Sequence, residues 1–254
     1  TGTVTINGTF DLNGYSPTLH SLTGSGTVTS GVSGTCTVTV LGDGYEGYYY
    51  DTFSGVIEDG SGTVALTKVS SSGQTLAGTN TYSGGTTVSA GTLQVGNNTS
   101  TGTLGTGAVV NSGSLAFKRS GTATIGNAIS GTGTLTQYSG TLVLTGSNTY
   151  SGTTTIYEEA TLQVGNGGTS GTLGSGAVAY ADDYNLWSDY SQLVFNRSDG
   201  VTSSNAITGA VNVTVAAGST LKAGSSSACG LPNGTTSTGT VTINGTFDLN
   251  GYSP

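Results

Sequence analysis

Two stretches of the chain gather the side chains that could do chemistry. Residues 41–51 read LGDGYEGYYYD, and residues 180–190 read YADDYNLWSDY. Together they hold seven of the 13 tyrosines, the only tryptophan and six of the 13 acids, with no lysine or arginine. Exposed aromatic rings supply contact area in recognition surfaces, and paired carboxylates such as Asp182 and Asp183 suit Ca²⁺. These residue types indicate contact or binding.

Three interpretations of these two stretches, the aromatic-acidic loops, stay open. Each loop folds back onto its own part of the chain and covers an apolar face, or it contacts a neighbouring chain in a fibre or bundle, or it binds a sugar or a cation. Loop insertions are where function usually lies in repetitive folds. The candidate partner-contact residues are Tyr45, Tyr48, Tyr49, Tyr50, Tyr180, Tyr184, Trp187 and Tyr190.

Catalysis needs more than these loops offer. Polysaccharide-cleaving enzymes use clustered carboxylates as acid and base. The pairs Glu58–Asp59 and Glu158–Glu159 are adjacent in sequence, so their side chains would point apart on a strand, and each pair predicts a solvated turn instead. The lone His20 predicts a polar surface or turn position. We predict no catalytic residue, no metal site and no cofactor, and a β-helical polysaccharide-degrading enzyme remains the third alternative for the function.

Composition excludes several classes of partner. The 254 residues carry a net charge of −8, with five scattered lysines and arginines, so there is no basic track for nucleic acid. No apolar run approaches the ~18 residues of a membrane span, so we predict no membrane insertion in this segment. Cys36 alternates in step with Val38 and Val40, which favours a small core residue over a disulfide with Cys229 or another chain.

Short alternating runs predict β-strands. In TVTINGTFDLNG, Val4 and Ile6 share one face, and Phe10 and Leu12 share it again after a turn. Asn-Gly pairs mark the turns at residues 7–8 and 13–14, because both residue types tolerate positive φ. The same pattern recurs at Leu93/Val95, Leu115/Phe117, Leu142/Leu144, Leu162/Val164 and Val211/Val213/Val215.

An internal repeat decides how these strands are arranged. TNTYSGGTTVSAGTLQVGN at residues 79–97 returns as SNTYSGTTTIYEEATLQVGN at residues 147–166, where Asn148 takes the place of Asn80. A unit of about 68 residues divides into three coils of about 23 residues, the size of a β-helix rung. We therefore predict one all-β domain over residues 1–254: a parallel β-helix, or β-solenoid, of about ten rungs with loop excursions at 41–51 and 180–190.

A second repeat joins the two ends of the sequence. TGTVTINGTFDLNGYSP occupies residues 1–17 and recurs without substitution at residues 238–254. This predicts a 237-residue period over residues 1–237, with residues 238–254 as the start of the next copy and the same conformation in both segments. The predicted repeat-junction residues are Val4, Ile6, Phe10, Leu12, Val241, Ile243, Phe247 and Leu249.

Several segments resemble a known family. LTGSNTYSGTTT, ATLQVGN, SGTLGSGAV and FSGVIEDGSGTVALTK are similar to the passenger-associated repeats of bacterial autotransporters and related giant surface proteins. The resemblance implies a right-handed parallel β-helix that is exported to the bacterial cell surface or beyond. It also implies that the repeat is scaffold and carries no catalytic residues.

The sequence and the resemblance together predict a structural protein. We expect a repeat unit of a long extracellular fibre that forms a rigid, protease-resistant rod or filament. Its partners would be further copies of itself, in tandem, end to end or bundled laterally. The alternative is an adhesin that presents the aromatic-acidic loops to glycans or neighbouring cells.

Overall fold

The fold is a β-solenoid of about ten turns built from parallel strands, which confirms the predicted fold class. The computed structural model describes residues 2–42, 50–181, 191–224 and 239–251. Within these ranges there is no helix, and so none that could cross a membrane. Residues 43–49 and 182–190, the greater part of the two aromatic-acidic loops, lie outside the described residues. The right-handed sense of the solenoid stays a prediction.

The chain divides into two compact units, residues 1–119 and 120–254. The first unit contains β1 (Thr3–Ile6), β2 (Thr9–Asp11), β3 (Thr18–Leu19), β4 (Ser21–Gly24), β5 (Thr27–Thr29), β6 (Thr35–Val40), β7 (Asp51–Phe53), β8 (Val56–Ile57), β9 (Thr63–Lys68), β10 (Gly73–Leu76), β11 (Thr86–Val88), β12 (Thr92–Thr99), β13 (Val109–Asn111) and the start of β14 (Ser114–Ile125). The second contains the end of β14 and β15 (Ile129–Ser130), β16 (Thr134–Leu144), β17 (Thr154–Tyr157), β18 (Thr161–Val164), β19 (Val178–Ala181), β20 (Ser191–Phe195), β21 (Gly200–Ser203), β22 (Ile207–Thr208), β23 (Val211–Val215), β24 (Thr220–Ala223), β25 (Val241–Ile243) and β26 (Thr246–Asp248).

Three parallel sheets form the sides of the coil in the first unit. One sheet runs in the order β1–β4–β7–β10–β12–β14, the second β3–β6–β9–β11–β13 and the third β2–β5–β8. Neighbours within a sheet are never consecutive in sequence, since the chain visits the other sides before it returns one coil further on. This is the topology that the repeat predicted.

The second unit follows the same plan, except that the long strand β16 takes part in two sheets and pairs with β17, the next strand along the chain. Its sheets run β16–β18–β20–β23–β25, β16–β17–β19–β22 and β21–β24–β26. Coil length varies more than a single coil size would suggest. Thr3 pairs with Ser21, whereas Thr161 pairs with Gln192, so the second of these coils is much the longer. The longer coil contains residues 182–190. An insertion between two strands lengthens a coil but leaves the pairing of its strands intact.

The core is a set of stacked aliphatic side chains on the inner faces of the strands. Both members of the pairs Leu93/Val95, Leu115/Phe117, Leu142/Leu144 and Leu162/Val164 are buried, as are Val211, Val213 and Val215, which confirms the predicted alternation. Cys36 is also a core residue, as predicted: it is buried with a free thiol, and its Sγ lies 3.3 Å from the Ser30 hydroxyl oxygen, to which it donates.

The two predicted Asn-Gly turns differ in conformation. Asn13 and Gly14 have φ values of 48° and 84°, as expected. Residues 7–8 also turn the chain, but the expected positive φ is wrong there. The neighbouring coil shapes this corner instead: a Cβ on Gly26 would lie 2.0 Å from the carbonyl oxygen of Gly8, so the two backbones touch.

Over residues 2–14 and 239–251, where both are described, the two copies of the terminal repeat share one local conformation. β1 and β2 of the first copy correspond to β25 and β26 of the second. Asn250 and Gly251 repeat the positive φ values of the first copy, at 52° and 81°. In each copy an aspartate Oδ1 accepts a 2.8 Å hydrogen bond from the backbone N–H two residues on, at Asp11 and at Asp248. The 237-residue period itself stays a prediction.

Lys68 lies in the core of the first unit and bonds to backbone carbonyl groups. It continues the inward row of Val64 and Leu66 on β9 and is fully buried. Its Nζ donates to the carbonyl oxygens of Val69 at 2.6 Å and Ser70 at 2.9 Å. Burial lowers the pKa of the Lys68 ammonium to about 8.

We expect the free energy of unfolding to rise with pH between about 8 and 10, by up to about 3 kcal/mol. In this window the unfolded state, with an ordinary lysine pKa, binds more protons than the folded state, so raising the pH favours folding. Urea unfolding at several pH values measures the slope. This rise of the unfolding free energy with pH should be absent in Lys68→Met. It should be retained in the control Lys222→Met, whose lysine is half-buried. Equal slopes in both variants would contradict the assignment.

Candidate functional site

The aromatic-acidic loops are described only at their edges. Tyr50 and Tyr180 are described and half-buried. The six other candidate contact residues lie outside the described residues: Tyr45, Tyr48, Tyr49, Tyr184, Trp187 and Tyr190. Their role stays a prediction.

Tyr50 and Tyr180 both pack against a glycine one coil further along the chain. A Cβ on Gly73 would lie 2.0 Å from Cδ1 of the Tyr50 ring, so the ring lies directly against the glycine backbone. A Cβ on Gly209 would lie 2.8 Å from Cβ of Tyr180. For these two residues, packing on their own part of the chain is what the geometry favours.

The acidic side chains that are described serve local structure. Glu158 and Glu159 form the turn between β17 and β18, as predicted. Asp51 accepts a hydrogen bond from the Ser21 hydroxyl. His20 is half-buried in the bend after β3. Across the four described ranges, no three His, Cys, Asp or Glu side chains come close enough to hold a metal ion.

One polar cluster in the first unit lies in the repeat itself, at Asn80 of the N-T-Y-S-G motif. Asn80 is 4% exposed, and its Oδ1 accepts from the Ile57 N–H at 2.8 Å. Its Nδ2 donates to the carbonyl oxygen of Thr103 at 2.7 Å. Ile57 precedes and Thr103 follows Asn80 by 23 residues each, so one amide joins three successive coils.

Thr103 completes the contact from the following coil. The Asn80 backbone N–H donates to Thr103 Oγ1 at 2.7 Å, and the Thr103 hydroxyl donates to the carbonyl oxygen of Asn80 at 3.0 Å. Side chains thereby pair with the backbone at a corner where the strands end. We call the pair of an asparagine and its threonine the Asn clamp.

The second unit repeats the Asn clamp. Asn148 Oδ1 accepts from the Ile129 N–H at 3.0 Å, and its Nδ2 donates to the carbonyl oxygen of Thr172 at 2.7 Å. The Asn148 N–H donates to Thr172 Oγ1 at 2.6 Å, and that hydroxyl donates to the carbonyl oxygen of Asn148 at 2.9 Å. The repeat preserves the whole set of bonds between coils, so its asparagine has a structural role.

The tyrosine of the same motif fixes the spacing of the coils. Tyr82 is fully buried, its hydroxyl lies 2.7 Å from Thr86 Oγ1, and burial raises its pKa. A Cβ on Gly105 would lie 2.5 Å from the Tyr82 ring, so only glycine fits in the next coil. Tyr150 repeats the arrangement over Gly174, with its hydroxyl 2.9 Å from Thr154 Oγ1.

A second repeated contact, the Arg lock, holds the exposed loop that follows L-Q-V-G at residues 93–96. Arg119 Nη1 donates to the carbonyl oxygen of Gly102 at 2.7 Å, and Nη2 donates to that of Ser100. Its Cγ packs over Gly96, where φ is 85° and a Cβ would lie 2.3 Å from that Cγ. Gln94 Nε2 closes the base of the loop by donating to the carbonyl oxygen of Gly96 at 2.9 Å.

The second unit repeats the Arg lock with one change: Arg197 Nη2 donates to Asp199 Oδ2, where Arg119 Nη2 donates to a loop carbonyl oxygen. Arg197 Nη1 donates to the carbonyl oxygen of Gly171 at 2.7 Å, and Gln163 Nε2 donates to that of Gly165 at 2.8 Å. Asp199 also forms a salt bridge with Arg197 at 2.7 Å, and the hydrogen bond from Arg197 lowers the pKa of the Asp199 carboxyl. Residues 196–199, NRSD, replace residues 118–120, KRS, at this point of the repeat.

Asp59 links the motif to the coil before it. Its Oδ1 accepts from the Val64 N–H at 2.8 Å, and its Oδ2 accepts from the Ser83 hydroxyl at 2.5 Å. Burial raises the pKa of the Asp59 carboxyl, but these hydrogen bonds, with that of the Ser83 N–H, outweigh it and hold the pKa below its usual value. The serine of N-T-Y-S-G therefore also bonds between coils.

Comparison with known proteins identifies the same repeated segments. The sequence model of the passenger-associated-transport-repeat family matches residues 59–95 and 137–164. The matched segments contain both clamp asparagines, both buried tyrosines and both glutamines of the Arg lock. No curated protein and no solved structure matched the chain. These two segments are therefore similar to passenger-associated transport repeats, and the β-solenoid fits the autotransporter passenger repeat proteins, as the resemblance indicated.

Sequence reasoning found the repeat and missed what its residues do. The Asn clamp was visible only as the recurrence of N-T-Y-S-G in the second unit, since the threonine partner lies 23 or 24 residues from the asparagine, in the following coil. The available signal was the joint recurrence of T-L-G, in which Thr103 and Thr172 are equivalent.

Asn80→Ala and Asn148→Ala should each lower the free energy of unfolding by roughly 2–4 kcal/mol. Each change leaves a buried N–H and a buried carbonyl without their partners, which costs more than the lost bonds alone. Urea or guanidinium unfolding measures the effect. The control Thr81→Ala changes the exposed neighbour of Asn80 and should shift the midpoint little. Losses no larger than that of the control would show that the clamp is dispensable.

Proposed function

We propose that this chain is a structural segment of a bacterial surface fibre, a passenger-type β-solenoid whose role is mechanical. The observation that carries the proposal is the repetition of the Asn clamp and the Arg lock in both units. Each of these contacts bonds one coil to a neighbouring coil, so it adds cohesion along the direction in which the chain advances. A fold with this cohesion extends by adding copies.

The family suggests the location. Autotransporter passenger repeats are typical of extracellular or cell-surface proteins of bacteria. A chain outside the cell meets proteases, and its few lysines and arginines suit that setting. Four of the five lie on strands, and the fifth, Arg197, is held by the Arg lock.

The hydrogen bonds that three carboxylates accept support the role of a scaffold rather than that of an enzyme. Asp11, Asp59 and Asp199 each accept backbone or side-chain hydrogen bonds within the coil structure. Groups committed to such bonds are poorly placed to exchange protons with a substrate. The adhesin alternative depends on the aromatic-acidic loops, and six of their eight candidate contact residues lie outside the described residues.

The native chain should resist trypsin at concentrations that digest it fully in urea. Proteases need an extended, unpaired stretch around the cleaved bond, and local opening of a ladder strand costs much of its stability. The positive control is Gly168→Lys, in an exposed bend where a Cβ would meet nothing within 4 Å. This variant should be cut once, at the new lysine. Rapid cleavage of the unchanged chain at Lys118 or Lys222 would contradict a protease-resistant rod.

Electron microscopy of tandem arrays tests the fibre. A chain with residues 1–237 repeated three times should form particles about three times as long as the single copy, at the same width. Each copy contributes about ten coils at ~4.8 Å, or about 50 Å. Particles that grow in width rather than length, or strings of separate globules, would refute the proposal.

A further inference from the structure

A groove on the first unit is large enough for a small ligand. It crosses β6, β9, β11 and β13 and has a volume of about 430 Å³. Ligand sites in proteins typically have volumes of ~300–1,000 Å³. All of its lining residues lie between Thr35 and Val110, within the described part of this unit. The groove therefore contains no residue of the aromatic-acidic loops or of the terminal repeat.

A glycine opens this groove where the second unit has a threonine. Gly85 of T-Y-S-G-G-T-T-V is replaced by Thr153 in T-Y-S-G-T-T-T-I. The two positions are equivalent in the ladder: the carbonyl oxygen of Gly85 accepts from the Leu66 N–H at 3.1 Å, and that of Thr153 accepts from the Leu135 N–H at 3.1 Å. Gly85 also has a φ of 87°, which disfavours a side chain. The first unit thus departs from the repeat in a way that leaves space.

A second small residue widens the groove in the same way. Ala65 and Thr134 directly precede the two leucines that donate these bonds. Ala65 lines the groove, and its Cβ carries no further atoms that would enter it. The first unit therefore lacks two larger side chains that the second unit places at the equivalent positions.

Threonine hydroxyls line the groove and are available to a ligand. Thr67 and Thr87 lie opposite each other on β9 and β11 and are half-buried on the outer face. Neither hydroxyl forms a hydrogen bond with another residue in the described part of the chain. By contrast, the hydroxyl of the neighbouring Thr86 is bonded to that of Tyr82. The groove thus offers groups that both donate and accept, on successive coils ~4.8 Å apart.

The lining disfavours a charged ligand. It contains no lysine, arginine, aspartate or glutamate side chain. Ser83, at its edge, already donates its hydroxyl to Asp59 Oδ2 at 2.5 Å. An anion would lose its hydration without gaining a cation here, and a cation would gain no carboxylate. The chemistry of the groove therefore suits a neutral ligand.

The strands beneath the groove leave no place for an added peptide strand. β9 pairs with β6 and β11, and β11 pairs with β9 and β13. A peptide extends a sheet only at a free edge. A purely apolar ligand would cover the threonine hydroxyls without pairing them, which is costly. A neutral ligand that carries its own hydroxyl groups meets both conditions.

We propose that this groove binds a neutral oligosaccharide, with Thr67 and Thr87 donating to and accepting from its hydroxyl groups. The methyl groups of both threonines pack against the C–H faces of the sugar rings. Val110, which lies opposite Thr87 and is 46% exposed, adds to this apolar contact. The site adds a binding function to the mechanical role, and it does not depend on fibre formation.

NMR titration of the whole chain tests the site. Maltotetraose, cellotetraose and N-acetylchitotetraose are each added to isotope-labelled protein, and tetragalacturonate serves as the charged probe. At least one neutral probe should shift the amide signals of Gly84, Gly85 and Thr87 in a saturable manner, and tetragalacturonate should not. Neutral probes that leave these signals in place would overturn the proposal, as would equal shifts with tetragalacturonate.

Filling the groove should remove the binding. Ala65→Thr introduces the threonine that the second unit has at this position, and it should weaken binding of the same probe at least about tenfold, because the new side chain occupies the groove. Threonine suits a strand, so the midpoint of urea unfolding should not fall. The matched control Thr134→Ala changes the equivalent position of the second unit and should leave the affinity unchanged. Equal affinities in the two variants would place the ligand elsewhere and overturn the site.

Removing a hydroxyl while keeping the shape of the groove tests the hydrogen bonds. Thr67→Val and Thr87→Val should each weaken binding of the probe about threefold to tenfold. The matched control is Thr155→Val, at the position of the second unit that is equivalent to Thr87. If Thr87→Val binds the probe as tightly as this control, the hydroxyl does not contact the ligand and the proposal fails.

Discussion

The parallel backbone ladder between successive coils is the interaction on which the rest of this structure depends. A single coil of about 23 residues is too small to close a core of its own. The backbone N–H and C=O groups of the strands form hydrogen bonds with the next coil. This ladder of bonds stops at every corner, where the chain turns. Buried backbone groups at those corners still need partners. The Asn clamp supplies them in both units, which explains why the repeat keeps its asparagine and threonine together.

The same requirement explains how the solenoid accommodates an insertion. β4 and β7 pair only through Gly24 and Phe53, on either side of the loop at residues 43–49. Gln74, from one coil further on, fills the gap: its Oε1 accepts from the Leu22 N–H at 3.0 Å, and its Nε2 donates to the Leu22 carbonyl oxygen at 2.8 Å. A side-chain amide here takes the place of a strand residue. Loops can thus enter the coil where an amide can replace the missing backbone.

The strand pattern was predictable because strand side chains alternate with a period of two. Leu93 and Val95 could be placed in the core from that alternation alone. Lys68 shares the inward row of Val64 and Leu66, so its burial was implied by the pattern, although its residue type argued against it. The Asn clamp and the Arg lock could not be predicted, because their partners are fixed by coil length, which differs widely between the pairs β1/β4 and β18/β20. The aromatic-acidic loops carry no repeat to constrain them.

Positive charge in this chain serves mainly to bond the backbone. Lys68, Arg119 and Arg197 each donate to carbonyl oxygens at or near corners, where the ladder leaves acceptors unpaired. Arginine suits the loop corners because its planar group reaches two acceptors at once. Ile6 is 6% exposed beside the coil that contains β4, because in this fold a coil completes its core when another coil covers it.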